Sequence, residues 1–163
     1  MKKHTLEIDY EVYDDISQLP AEDAVLLSAA RKLTKQAYAP YSHFMVAAVA
    51  KMSNDEIVKG TNQENASYPV GICAERVLLG NAATLYPGVS IHSLAISYDS
   101  EDKNIKSDHP ISPCGMCRQA LLEYESRTLE PIRLILGGQS GKVYVLKTTS
   151  LLLPFAFTSE ELK

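Results

Sequence analysis

The sequence predicts an α/β fold in which a mixed β-sheet carries helices on both faces. Predicted strands alternate with predicted helices along the chain, which favours this layered arrangement. The length of 163 residues and the 45% of hydrophobic side chains suit one domain with one core. No apolar run approaches the ~20 residues of a membrane helix. The N-terminus has no apolar stretch of the kind found in a secretory signal.

The first half of the chain predicts the order β, α, β, β. Alternating apolar residues predict a strand over residues 5–13. Helical spacing predicts a helix over residues 20–36, with a proline at its first position. An apolar run predicts a buried strand over residues 44–52. A polar turn then leads into a partner strand over residues 57–61, so that the two form a hairpin.

The second half predicts two longer helices and a final short one, separated by strands and loops. A loop over residues 62–72 leads directly into the first helix, and a long polar loop precedes the second. The predicted elements are a helix over 73–85, a strand over 91–98, a loop over 99–112, a helix over 114–126, strands over 132–136 and 143–146, and a short helix from residue 159.

All three cysteines lie in two short motifs that match one chemistry. The motifs are CAER at residues 73–76 and PCGMC at residues 113–117. Three thiolates hold a zinc ion and leave its fourth position open for water, which distinguishes a catalytic from a structural zinc site. Glu75 is then the candidate for moving the protons of that water. Nucleobase deaminases combine a P-C-x-x-C motif, a third ligand and a glutamate that does not bind the metal in this way.

Both motifs lie where a loop enters a predicted helix. The unpaired amides and partial positive charge of a helix start stabilise thiolates. Cys114 and Cys117 are three residues apart and share one side of their helix, while Cys73 comes from the other helix. The two helix starts must therefore face each other on one side of the sheet. Arg76 and Arg118 are both candidates for a cation that withdraws electron density from the sulfurs.

Other interpretations of these residues are a redox C-x-x-C pair, buried cysteines that only fill space, and a closed structural zinc site. A closed site would need a histidine as fourth ligand. None of the four histidines forms a ligand-like pair with a cysteine; they are His4, His43, His92 and His109. Glu75 could also be an ordinary solvated helix residue. Three cysteines form no evident disulfide framework, so a reducing cytoplasm is the simplest setting.

The chain resembles the cytidine deaminase family. The resemblance rests on NQENASYP at 62–69, GICAER at 71–76, SPCGMCRQ at 112–119 and LLPFAF at 152–157. It covers roughly residues 25 to 160, in the family's order. The zinc motif alone defines only the wider deaminase superfamily. The asparagine-glutamate run and the C-terminal tail narrow it to the small tetrameric enzymes that act on free nucleosides.

The resemblance implies a three-layer α/β/α fold with a mixed, mostly five-stranded sheet. It implies hydrolytic deamination of cytidine and 2′-deoxycytidine to uridine and 2′-deoxyuridine, with release of ammonia, in pyrimidine salvage. It also implies a cytoplasmic homotetramer with shared active sites and one zinc ion per subunit. The substrate would be a small nucleoside, and neither nucleic acid nor membrane would be a partner.

The resemblance further implies a role for each matching residue. Cys73, Cys114 and Cys117 match the zinc ligands, and Glu75 matches the proton shuttle. The residues that match substrate contacts are Asn62 and Glu64 for the ribose 3′-hydroxyl, Phe44 for the pyrimidine face, the Ala74 backbone for the base edge, and Tyr68 and Phe157 for a neighbouring subunit's site. On the residues alone, Phe44 and Phe157 could equally be core side chains, and Asn62 and Glu64 ordinary loop residues.

Three features depart from the family pattern. Ala47 stands where the family usually has glycine, and the 99–112 loop is longer than the family leads us to expect. Residues 1–20 read as a segment added to a single domain spanning residues 1–163.

Three competing functions remain open. One is deamination of a modified nucleoside, which the Asn62 and Glu64 pair disfavours. Another is RNA or DNA editing, which the net charge of −4 disfavours because no basic track is present. The third is a zinc-stabilised binding module without catalysis, which Glu75 and the missing fourth ligand disfavour.

Overall fold

The computed structural model describes all residues from 1 to 163 and contains six strands and three α-helices. The strands are β1 (Glu11–Tyr13), β2 (Phe44–Met52), β3 (Ile57–Thr61), β4 (Ile91–Ser100), β5 (Arg133–Gly137) and β6 (Val143–Leu146). The helices are α1 (Ala21–Leu33), α2 (Ala74–Leu85) and α3 (Gly115–Thr128). Short 3-10 helices extend α1 over Thr34–Gln36 and lie in the C-terminal tail over Thr149–Leu152 and Ser159–Leu162.

The sheet is mixed and has the strand order β1-β6-β5-β4-β2-β3. Only β4 and β5 run parallel; every other neighbouring pair is antiparallel. Parallel neighbours require a crossover connection, and here α3 and the loop before it provide that connection. The predicted β2–β3 hairpin is confirmed, with Ala48 opposite Gly60 in the register.

Two hydrophobic clusters lie on opposite faces of the sheet and give the predicted three layers. One cluster joins α2 and α3 to the sheet through buried residues such as Leu78, Leu121 and Ile96. The other joins α1 to the opposite face through residues such as Leu27 and Ala95. Because side chains alternate along a strand, Ala47 faces α1 and is fully buried there. The departure from the family's glycine therefore lies on the face away from α2 and α3.

The sheet has six strands where mostly five were predicted, and the N-terminal strand is much shorter than predicted. The alternating pattern over residues 5–13 forms a strand only over Glu11–Tyr13, which pairs with β6 and adds the sixth strand. The pairing ends because β6 ends at Leu146, and the chain then turns into a 3-10 helix. Pro20 caps the start of α1 instead of occupying its first helical position. The helices are too short or too polar to span a bilayer.

Candidate metal centre and active site

The three cysteine sulfurs lie close together between the starts of two helices. Cys73 caps α2, Cys114 caps α3, and Cys117 lies in the first turn of α3. The Sγ atoms of Cys73 and Cys114 are 3.8 Å apart, and those of Cys114 and Cys117 are 3.5 Å apart. All three sulfurs lie within 4.8 Å of one another. The two helix starts therefore face each other, as the motif spacing predicted.

The donor set of this cluster fits a zinc ion. Thiolate sulfur is a preferred zinc ligand, and three sulfurs at this separation can reach one ion. The cluster contains no histidine and no carboxylate as a fourth ligand. The alternative of a closed structural site with a histidine has no support in this arrangement. The residues thus fit a zinc site with one position free of protein ligands.

The electrostatics of the cluster favour a thiolate at Cys73. Hydrogen bonding with Cys117 is the main cause that lowers the pKa of Cys73 to about 6, and the charge of Arg76 acts in the same direction. The same contact with Cys73, together with burial, raises the pKa of Cys117. Contacts among the three thiols thus lower the pKa of Cys73 and raise that of Cys117. Binding of a metal ion would release the protons that the thiols carry.

Glu75 is the second residue of α2 and is only 5% exposed. Burial is the main cause that raises the pKa of its carboxyl, and the nearby Cys73 thiolate adds to the effect. Glu75 and Cys117 shift each other's pKa, so the carboxyl lies beside the sulfur cluster. The solvated-surface interpretation of Glu75 does not hold. A buried carboxyl with a raised pKa beside a metal site is suited to proton transfer.

Asn62 and Glu64 line one cavity together with Cys73. This cavity has a volume of about 310 Å³ and is also lined by Tyr68 and Met116. The structure thus places two of the predicted ribose contacts, an aromatic side chain and one of the predicted metal ligands around one space. A volume of this size is at the lower end of the range for small-molecule sites.

Asn62 and Glu64 also hydrogen-bond to the backbone of the 41–46 segment, which does not line the cavity. The Asn62 side chain donates from Nδ2 to the Phe44 carbonyl oxygen (2.9 Å) and accepts at Oδ1 from the Val46 amide (2.7 Å). Glu64 Oε2 accepts from the amides of Tyr41 (2.9 Å) and Ser42 (3.2 Å). Each side chain keeps unused hydrogen-bonding capacity for a ligand, since an amide and a carboxylate offer more than these contacts.

Phe44 and Ala74 do not line this cavity, and different elements carry them. Phe44 begins β2, is half-buried, and stacks on Tyr98 with ring centroids 5.1 Å apart and planes 22° apart. Ala74 is the first residue of α2 and is fully buried. Phe44 is therefore not a fully buried core side chain. Tyr98 covers one face of its ring, and the side chain remains partly exposed.

Tyr68 lines the cavity of its own chain but is mostly exposed, whereas Phe157 lies outside that cavity. Tyr68 is 75% exposed and contacts the edge of the Tyr41 ring at a centroid distance of 6.0 Å. Phe157 is 60% exposed, and its carbonyl oxygen accepts a hydrogen bond from Gln119 Nε2 (2.9 Å). That bond holds the C-terminal tail against α3 while the phenyl ring points to solvent.

The two candidate arginines differ in what they contact. Arg118 donates from Nε to the Pro113 carbonyl oxygen (2.8 Å) and from a terminal nitrogen to the Leu152 carbonyl oxygen (3.1 Å). It therefore ties the motif loop to the C-terminal segment. Arg76 is the one whose charge lowers the pKa of Cys73.

Sequence reasoning missed Tyr98 and Gly60. Tyr98 ends the predicted fourth strand and stacks on Phe44. Its even spacing from Leu94 and Ile96, which face α2 and α3, is the signal that places it on the same face of the sheet. Gly60 lies in β3 against the first turn of α2, where an added Cβ would be 2.3 Å from the Ala74 carbonyl oxygen. The sequence contains no signal for that close approach.

Comparisons with known proteins match this chain to cytidine deaminases. The family described as the cytidine and deoxycytidylate deaminase zinc-binding region matches residues 20–130. The cytidine deaminase of Halalkalibacterium halodurans is 35% identical over 138 residues, which cover 85% of this chain and 96% of that protein. That of Sporosarcina psychrophila is 36% identical, covering 84% and 92%. A cytidine deaminase structure from Burkholderia pseudomallei superposes with a TM-score of 0.70 at 33% identity, covering 85% and 100%.

Proposed function

Because this chain belongs to the cytidine deaminase family, a family of hydrolases that act on the C–N bond of a cyclic amidine, we propose that it is a zinc-dependent enzyme of pyrimidine salvage. The reaction converts cytidine and 2′-deoxycytidine to uridine and 2′-deoxyuridine and releases ammonia. The observation that carries the proposal is the set of three sulfurs from two helix starts, with the buried carboxyl of Glu75 beside them.

Cys73, Cys114 and Cys117 would hold one zinc ion per subunit. When bound, the zinc lowers the pKa of water and so makes a nucleophile available near neutral pH. Arg76 would offset the negative charge of the three thiolates, since its charge already reaches Cys73.

Glu75 would carry protons between the attacking water and the base. It takes a proton from the water and gives it to ring nitrogen 3, which makes carbon 4 electrophilic toward the water oxygen. The water oxygen adds to carbon 4, and Glu75 takes the remaining proton from that oxygen and delivers it to the amino group. The C–N bond then breaks to release ammonia as the carbonyl at carbon 4 forms. A general base works best when its pKa lies near the operating pH. The burial that raises the pKa of Glu75 fits this dual role.

The substrate would lie in the cavity of about 310 Å³ beside Cys73. The remaining hydrogen-bonding capacity of Asn62 and Glu64 suits the ribose 3′-hydroxyl. Phe44 would pack against the pyrimidine ring, and the backbone of Ala74, between Cys73 and Glu75, would bind the edge of the base. These sugar contacts favour a nucleoside with an unmodified ribose over a modified substrate that lacks the 3′-hydroxyl.

The enzyme would work in the cytoplasm as a homotetramer with shared active sites. Tyr68, which lines the cavity, and Phe157, which does not, both leave their aromatic rings largely exposed. Met116, which lines the cavity, is also 63% exposed. Contacts with neighbouring subunits would bury these side chains and close the cavity over the substrate. Residues 1–163 would form a single domain, with residues 1–20 as an added segment.

The direct test is Glu75→Gln, with Glu123→Gln on the exposed surface of α3 as the matched control. Glu75→Gln should keep its zinc and its melting temperature, whereas kcat falls by about 10³-fold or more because proton transfer is lost. The measurements are the fall in ultraviolet absorbance on conversion of cytidine and the zinc content per chain. Retained turnover in Glu75→Gln would exclude this role, and a purified wild-type protein without tightly held zinc would exclude the metal centre.

A further inference from the structure

The ring of Phe44 stacks on a second aromatic ring, that of Tyr98. Tyr98 is only 1% exposed, and its ring stacks on Phe44 at a centroid distance of 5.1 Å with 22° between the planes. Both side chains project from the face of the sheet that carries α2 and α3. One face of the Phe44 ring is therefore occupied by Tyr98. The plane of Tyr98 fixes the plane that Phe44 can offer to a ligand on its other face.

The hydroxyl of Tyr98 is itself held in place by the 99–112 loop. It donates to the carbonyl oxygen of Lys106 (3.0 Å) and lies 3.1 Å from Nδ1 of His109. A tyrosine hydroxyl has a single hydrogen, and here it goes to Lys106, so the His109 nitrogen acts as the donor in the second contact. The ring of His109 also meets the edge of the Tyr98 ring at 5.7 Å. Tyr98 is thus fixed at both its ring and its hydroxyl.

The 99–112 loop packs against the turn between β5 and β6. A Cβ added at Gly138 would lie 2.4 Å from the Ser107 carbonyl oxygen, and one added at Gly141 would lie 2.0 Å from the Asp108 carbonyl oxygen. The Ser140 amide donates to the Ser107 carbonyl oxygen (3.2 Å). Two glycines therefore let the loop approach this turn at backbone distance.

We propose that Tyr98 is a positioning residue for the pyrimidine-binding face of Phe44, and that the 99–112 loop is the element that holds Tyr98. The proposal rests on the proposed function, because it takes Phe44 as the side chain that packs against the base. It assigns a purpose to the long loop that the family resemblance leaves without one. Asn62 fixes the backbone of Phe44, and Tyr98 fixes its ring.

The test compares Tyr98→Leu, which removes the stacked ring, with Tyr98→Phe, which keeps the ring and loses only the hydroxyl. Tyr98→Leu should raise KM for cytidine about 3- to 10-fold with little change in kcat, the order expected from an aromatic pair. Tyr98→Phe should stay within about 2-fold of wild type, because it keeps both the stacking on Phe44 and the ring contact with His109 of the 99–112 loop. If Tyr98→Leu does not fold, Tyr98→Met fills the space with a flexible apolar chain and must give the same rise.

Tyr124→Leu is the matched control. Tyr124 is also a buried tyrosine on this face and donates to a backbone carbonyl, that of Val89 (2.9 Å), but it does not contact Phe44. A purely structural role for Tyr98 predicts equal losses of melting temperature and equal KM values in the two leucine variants. That result overturns the proposal. If wild type converts cytidine and Tyr98→Leu keeps the wild-type KM, the positioning role of Tyr98 is refuted while the proposed function stands. If wild type does not convert cytidine, both the proposed function and the positioning role are refuted.

The contribution of the loop is tested by Gly141→Ala against Gly88→Ala. Both glycines have a positive φ, 71° and 79°, so both variants carry the same backbone cost. Only Gly141 lies against the loop, whereas Gly88 has open space around it. Gly141→Ala should raise KM for cytidine about 2-fold or more as the loop is displaced, and Gly88→Ala should not. Equal KM values in the two variants would overturn the part of the proposal that concerns the loop.

Discussion

Replacing Gly60 by alanine is expected to damage the metal site from outside it. Gly60 lies in β3, and an added Cβ would be 2.3 Å from the Ala74 carbonyl oxygen, 2.5 Å from the Leu78 amide nitrogen and 2.9 Å from the Leu78 Cβ. Two of these atoms belong to the backbone of α2 and cannot rotate away. Since an ordinary contact begins at 3.4 Å, the first turn of α2 would have to retreat by about 1 Å.

The expected loss follows from what lies on that turn. Overpacking of this kind costs about 1–3 kcal/mol, which for a chain of this size lowers the melting temperature by roughly 2–12 °C. Ala74 stands between Cys73 and Glu75, so the same retreat moves the proposed metal ligand and the proposed proton carrier together. A displacement of about 1 Å in an active site can reduce activity 10²-fold. We therefore expect kcat/KM to fall about 10- to 100-fold.

The assay combines thermal denaturation, zinc content per chain and kcat/KM for cytidine. Gly80→Ala is the control, because it adds the same methyl group to α2 at a position with nothing within 4 Å. That substitution should stabilise the protein by up to about 1 kcal/mol through helix propensity, with unchanged activity. A Gly60→Ala protein with wild-type melting temperature, zinc content and kcat/KM would refute the view that close strand–helix packing positions the site.

Two further results are expected. Glu125→Ala should lower stability by about 3 kcal/mol, because the buried carboxylate accepts from the amides of Ile132 (2.7 Å) and Thr149 (2.8 Å), which would lose their partner; denaturant titration checks this against exposed Glu123→Ala. Treatment with a chelator should abolish turnover and lower the melting temperature, with both restored by added zinc; turnover that survives complete removal of zinc would contradict the proposed chemistry.

Much of the fold could be predicted because its signals are local. The bounds of β2 and β3 follow from an apolar run and a turn, and the starts of α2 and α3 follow from motif residues in the first turns. The alternating pattern over residues 5–13 was misleading because a strand also needs a partner. The partner strand β6 ends at Leu146, and nothing within residues 5–13 indicates where that end lies.

The candidate site, like the fold, could be predicted from the sequence only in part. The cysteine cluster was predictable since short spacings and helix starts confine the three sulfurs. The bracing of Phe44 by Asn62 and its stacking on Tyr98 were not, because each depends on which distant strands become neighbours. Burial of Glu75 likewise depends on the packing of α2 against β3, which the close approach at Gly60 permits.

The placement of the sulfurs on two helices has a consequence for biogenesis. Cys73 is synthesised well before Cys114 and Cys117, and at ~5–20 residues per second the delay is roughly 2–9 s. During that interval a nascent chain has one of the three thiols and no chelating pair. Loading of the ion must therefore wait for α3 to emerge and dock beside α2. Under the proposed function, zinc would then be loaded only after α3 has been synthesised, on a chain in which the β2–β3 hairpin precedes both cysteine motifs.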